Sequence, residues 1–96
     1  MMRFAHVTGT LHSEPEGYRI EVTLDTRTAV ETVRDEPVPA LMLRDGVPDA
    51  FWTVDQLTQE TIGTTLAERG WEAISMAESD PSDDWRPPMA VYLVRG

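Results

Sequence analysis

The chain has no cysteine and no lysine. Without thiols there is no disulfide to staple the fold, no thiolate metal ligand and no cysteine nucleophile. No apolar run approaches the roughly 18 residues of a membrane-spanning helix. The opening MMRFAHVTGT also lacks the apolar core of a secretory signal. The cytoplasm is therefore the expected location, with no membrane partner. Missing too are a G-x-S-x-G turn, a phosphate-binding glycine loop and an arginine–aromatic RNA signature. The carboxylates are many, but no acid/base pair stands out, so the sequence points to no catalytic residue, no metal and no cofactor.

What is present in excess is negative charge. Seventeen Asp and Glu face eight basic residues, all arginine, for a net charge of -9. The imbalance is concentrated: residues 1–44 hold seven acids against five arginines, and residues 45–96 hold ten against three. Such a surface repels phosphate, which disfavours direct nucleic-acid binding, and attracts a basic partner. The 96 residues and a mean hydropathy of -0.33 suit one soluble domain, 1–96, with a single modest core.

Residues 53–76 organise the rest. Thr53 and Gln56 read as a capping box, with Asp55 in the first turn where the helix dipole favours it. Val54, Leu57, Ile62 and Leu66 then form an apolar stripe, flanked by Thr58, Thr61 and Thr65. Gly63 inside it reads as a site of close packing on a sheet, with the wall of a binding groove as the alternative. Gly70 stands where a left-handed helix stop belongs, with Trp71 and Leu66 as the contact pair of a Schellman ending. Residues 71–76 then read as a strand.

Upstream, residues 3–12 alternate loosely and 18–24 alternate cleanly, joined by a Pro/Gly turn, as a hairpin with one buried and one wet face would. Residues 28–34 suit a strand by their β-branched content, although Asp25 could cap a short helix there. Asp45-Gly46 marks a tight turn. Residues 47–52 either return as an edge strand or lead into the helix. Residues 77–88, AESDPSDDWRPP, read as a surface loop, and 89–94, apolar on both faces, as a central strand or one covered by a partner.

Leu66-Ala67-Glu68-Arg69-Gly70-Trp71-Glu72-Ala73-Ile74-Ser75, followed after a loop by Val91-Tyr92-Leu93-Val94-Arg95, resembles a family of small bacterial domains of unknown function. Those domains carry a helix ending in Gly-Trp-Glu, a strand containing a Ser and a terminal aromatic-apolar strand. The resemblance covers about the last third of the chain. It implies a fold and no activity.

The candidate sites follow from exposure and charge. His6 and His12 lie six apart on one strand face, about 20 Å apart, too far to share an ion. Asp80, Asp83 and Asp84 lack the glycine and closing Glu of a calcium loop, so they read as a solvated acidic stretch. Trp85, beside Arg86, is either an interface anchor or a ring tucked over the sheet edge.

The expectation is an α+β domain: an antiparallel sheet of four or five strands with one main helix packed on one face. It would act as a small acidic protein-binding module, an accessory, regulator or inhibitor of a larger partner with a basic surface. Asp80, Asp83, Asp84, Trp85 and Arg86 would make the contact. The alternative is a ligand-binding domain or enzyme with a pocket between helix and sheet, lined by His6, Tyr18, Trp52 and Tyr92. Two-sided apolarity in 89–94 also admits a homodimer.

Overall fold

The first hairpin is long because its alternation is long. In the computed structural model, which describes residues 3–76, the backbone of 78–79, and residues 89–96, β1 spans Phe4–Glu14 and β2 spans Gly17–Asp25. Ala5, Val7 and Leu11 point to one side of β1, and Ile20, Val22 and Leu24 to the same side of β2; all six are buried. The edge strand β3, Val30–Pro37, pairs with β2 antiparallel through a bulge near Val22 and Thr23. Thus 28–34 is mainly strand.

A short 3₁₀ turn, Ala40–Met42, leads to a two-residue hairpin of β4, Leu43–Arg44, and β5, Val47–Pro48. Asp45 and Gly46 both take positive φ, 55° and 79°, as a tight I′-type connection requires. Helix α1, Ala50–Thr61, starts directly after it, so 47–52 is both a strand and a lead-in.

The helix starts a turn earlier than the capping-box reading places it. Asp49 is the N-cap, and the Thr53 amide already bonds to its carbonyl at 2.8 Å. Thr53 is instead fully buried, and its hydroxyl is an orphan among the described residues. The apolar stripe itself is where expected: Val54, Leu57, Ile62 and Leu66 are all buried. Three turns on from Val54, about eleven residues, a regular α-helix would turn Thr65 to the core. A π turn over Ile62–Leu66 inserts one residue and brings Leu66 inward, leaving Thr65 exposed. A 3₁₀ turn, Ala67–Arg69, closes the helix at Gly70, whose φ is 87°. Trp71 N–H bonds to Leu66 O at 2.9 Å and Gly70 N–H to Ala67 O at 3.0 Å, the two bonds of a Schellman ending.

The expected strand 71–76 is shorter than its composition suggests. Within it, β6 covers just Glu72–Ala73; it and β7, Glu78–Ser79, pair with the terminal strand β8, Met89–Arg95, on the side away from β1. Between them Ser75 interrupts the ladder, its Oγ accepting the Leu93 amide at 2.8 Å in place of a backbone carbonyl. The sheet order is β3-β2-β1-β8-β6, with β7 continuing the β6 edge, and every pairing is antiparallel. The fold is α+β, with one main helix over one face of this sheet. Strand β8 lies inside the sheet: Ala90, Tyr92 and Val94 are buried under the helix, while Met89, Val91 and Leu93 are half-buried on the open face.

The helix comes close because the middle of the sheet is small. Gly9 stands opposite Val22 on one side and Ala90 on the other. A Cβ on Gly9 would sit 1.7 Å from Thr58 Oγ1. Gly63, in contrast, is exposed with open space around it, so close packing rests on Gly9. Buried threonines are tolerated there because Thr58 and Thr61 return their hydroxyls to Val54 O and Leu57 O, at 2.7 and 2.8 Å. Arginines tie the polar edge strand to the helix. Arg34 reaches Leu57 O and Thr61 Oγ1, each at 3.2 Å, and Arg69 holds Glu31 through two bonds of 2.6 and 2.9 Å. That pairing lowers the Glu31 pKa.

The orphan at Thr53 gives a direct test. An unsatisfied buried hydroxyl costs about 1–3 kcal/mol, and threonine and valine have similar helix propensities. Thr53→Val is expected to stabilise the domain by about 1 kcal/mol, raising Tm by roughly 4–8 °C. A lowered Tm in thermal denaturation would show that the hydroxyl is satisfied.

Candidate functional site

Two concave surfaces flank the start of α1, and neighbouring residues divide them. Phe51, Asp55, Gln59, Ile62 and Gly63 recur at helical spacing along the side of the helix that faces the β6–β8 edge. Across from them stand Tyr92, Ala73, Ser75 and Met76, enclosing a groove of about 480 Å³. Its polar centre is a three-residue network. Gln59 Nε2 donates to both Asp55 oxygens, at 3.2 and 3.1 Å, and the Tyr92 hydroxyl donates to Asp55 Oδ1.

Tyr92 is on the helix-facing side of β8 and only 5% exposed. Burial, and then the bond to Asp55, push its phenol up to about 12. A phenol so far above neutral pH is a poor general acid or base, because proton transfer works best when the pKa is near the working pH. It is a good fixed donor. The groove therefore presents a carboxylate held from two sides, beside a half-exposed Phe51 and a largely exposed Met76. Such a site accepts hydrogen-bond donors and cations.

Trp52, one residue on, belongs to the other surface. With Leu41, Met42, Leu43, Val47 and Pro48 it borders a hollow of about 650 Å³ between the β4–β5 hairpin and the helix start. Three apolar side chains there face solvent: Leu41 is 99% exposed, Val47 54% and Trp52 53%. Asp45 and Asp49 stand on its rim, with Arg44.

The residues named from the sequence do not converge. Tyr92 lines the groove and Trp52 the hairpin hollow. Tyr18 is half-buried and packs against the core. His6 lies on the open face of the sheet, away from the helix, and lines a different hollow at the sheet end. His12 shares that open face and bonds Glu21 at 3.0 Å. Asp80, Asp83, Asp84, Trp85 and Arg86 lie outside the described residues. Among the described residues, no group of three or more His, Asp or Glu is gathered as a metal site would be. No described helix is long and apolar enough to cross a membrane.

Sequence reasoning missed Phe51, Asp55 and Gln59 as a set. Their signal was the four-residue spacing one step off the core stripe. It is masked when the helix start is set at Thr53, which leaves Phe51 outside the helix and gives Asp55 a dipole role.

Comparison with known proteins adds no relative: no family model, no curated protein and no solved structure matches the chain.

The Tyr92 contact has a clear pH signature. Its folded pKa, about 12, lies above the ordinary 10.0, so the neutral phenol stabilises the fold fully below pH 10 and that contribution is lost as pH rises toward 12. An ultraviolet titration of the two tyrosines should show one ionising near 12. Tyr92→Phe should remove that step and flatten the loss of stability between pH 10 and 12. Two ordinary tyrosine titrations in the wild type would contradict the buried contact.

Proposed function

We propose that the domain is a small acidic protein-binding module, an accessory, regulator or inhibitor of a larger partner that presents a basic surface. The observation that carries the proposal is the exposed apolar trio Leu41, Val47 and Trp52, rimmed by Asp45 and Asp49. Exposed apolar groups with a polar rim are the anatomy of an interface, and tryptophan is the residue type most enriched among binding hot spots. The two acids on the rim, Asp45 and Asp49, put steering charge beside the apolar anchor. Asp55, held in its groove by Gln59 and Tyr92, supplies a fixed acceptor for a lysine or arginine of the partner. Asp80, Asp83, Asp84, Trp85 and Arg86, which lie outside the described residues, are proposed as partner contacts on charge and residue type alone.

A second reading has its own support. The groove beside Tyr92, about 480 Å³, is within the range of small-molecule sites, so a ligand-binding role remains the competing class. The expected homodimer would use the open sheet face, where Met89, Val91 and Leu93 form a half-buried row.

The test separates charge from anchor. Partner captured from the native host is purified and its binding kinetics measured across a salt series. The Debye length falls from about 10 Å at 0.1 M to about 3 Å at 1 M, so the on-rate should fall steeply while the off-rate changes little. Trp52→Ala should chiefly raise the off-rate. Asp45→Asn with Asp49→Asn should slow association without unfolding, because asparagine tolerates the positive φ at 45 and the Asp49 side chain makes no capping bond to lose. A salt-independent on-rate, or a Trp52→Ala protein that binds unchanged, would contradict the proposal.

A further inference from the structure

The sheet end offers chemistry opposite to the rest of the molecule. Where β1 begins and β2 turns into β3, Arg3, Phe4, His6, Arg27, Trp71 and Leu93 border a hollow of about 750 Å³. Arginines elsewhere are mostly spent on structure: Arg19, Arg34, Arg69 and Arg95 each form ion pairs. Arg3 and Arg27 form none among the described residues. In a chain of net charge -9, two uncompensated guanidiniums flank one concavity, with Asp25 as the one carboxylate among its lining residues.

Both arginines are also positioned. Arg3 stacks its guanidinium 4.7 Å from the centre of the Trp71 ring. Trp71 is itself buried, and Arg3 is pinned to Gly96 by backbone bonds of 3.0 and 2.9 Å. Held over the ring and without an ion pair among the described residues, the Arg3 guanidinium has N–H groups to offer a carboxylate or phosphate. Arg27 rides on the short turn between β2 and β3. That turn is closed by the Thr26 amide and hydroxyl, which both donate to Ala29 O, at 2.9 and 3.1 Å. Thr26 and Thr28 add hydroxyls to the lining, and Phe4, 53% exposed, adds an apolar wall with Leu93.

We propose that this hollow binds a small molecule carrying one carboxylate or phosphate on an apolar, aromatic-sized body, with Arg3 and Arg27 on the anion and Phe4 and Leu93 against the body. The hollow has room for a body, since about 750 Å³ is far more than a bare oxyanion fills, and exposed Phe4 beside Leu93 gives that body an apolar surface. The site is independent of the protein-binding face, because it shares no lining residue with either surface beside the helix.

The experiment is a ¹H–¹⁵N NMR titration of the whole protein at constant ionic strength. The probes are benzoate, phenyl phosphate, inorganic phosphate and benzyl alcohol. Benzoate or phenyl phosphate should give saturable shifts confined to amides of residues 3–6 and 25–28, and whichever binds more tightly identifies the anion. Inorganic phosphate and benzyl alcohol should each bind at least about tenfold more weakly, having lost the body or the charge-assisted bonds. Arg27→Gln, on an exposed turn where the fold is not at stake, should weaken the aromatic anion by about tenfold and leave the spectrum otherwise intact. No saturable shift with either aromatic anion, equal binding of inorganic phosphate or benzyl alcohol, or an unaffected Arg27→Gln protein would each overturn the proposal.

Discussion

The contact between Gly9 and Thr58 sets the spacing of the whole molecule. A helix normally rides on side chains that hold it away from a sheet, but here the middle of the sheet has no side chain to offer. Thr58 Oγ1 occupies the space where a Cβ would be, and Ala90 beside Gly9 keeps the adjoining strand low. With the axis lowered at that point, Val54 and Leu57 reach Ile20, Val22 and Val94 in one buried cluster. Threonine suits the position because its hydroxyl bonds back to the helix, and its short side chain fits where leucine would not.

The same close approach creates the groove. A helix seated low over β1 brings its flank within hydrogen-bonding reach of β8, so Tyr92 can meet Asp55. On the other side Arg34 reaches from β3 to the Leu57 carbonyl and to Thr61, the residue before the π turn. The π turn then resolves a conflict of period, since a strict helix would bury Thr65 and expose Leu66. Arginine serves this architecture well. Its fork satisfies carbonyl and carboxylate together, as Arg34 does with Leu57, Thr61 and Glu36. Each of these pairings neutralises carboxylates locally, yet with seventeen acids to eight arginines the chain keeps a net charge of -9.

Much of the architecture was legible because it is written in short-range chemistry. The period-two pattern of 18–24, the Asp45-Gly46 turn and the glycine stop before Trp71 each follow from one local rule, and each is present. What was not legible depends on contacts distant in sequence. Thr53 resembles a cap until the helix starts at Ala50 and its side chain is found fully buried. Gly63 resembles a packing residue, but the residue facing the helix is Gly9, core-facing in the alternation Ala5, Val7, Gly9, Leu11. Residues 71–76 have strand composition, yet Ser75 gives its side chain to the ladder and ends the pairing. The pocket residues scatter for the same reason: His6 and Tyr92 are both on central strands, but strand parity sends one to the open face and the other toward the helix.

If the helix seat governs the fold, its two residues must be energetically coupled. A double-mutant cycle on Gly9→Ala and Thr58→Ala, read by urea denaturation, measures that coupling. Gly9→Ala alone should cost about 1–3 kcal/mol, the range for overpacking a tight interior. In the Thr58→Ala background the hydroxyl is gone, the nearest remaining Thr58 atom is Cβ at 3.0 Å, and the cost should fall by at least about half. Costs that simply add, to within about 0.5 kcal/mol, would mean that the helix is not seated on Gly9.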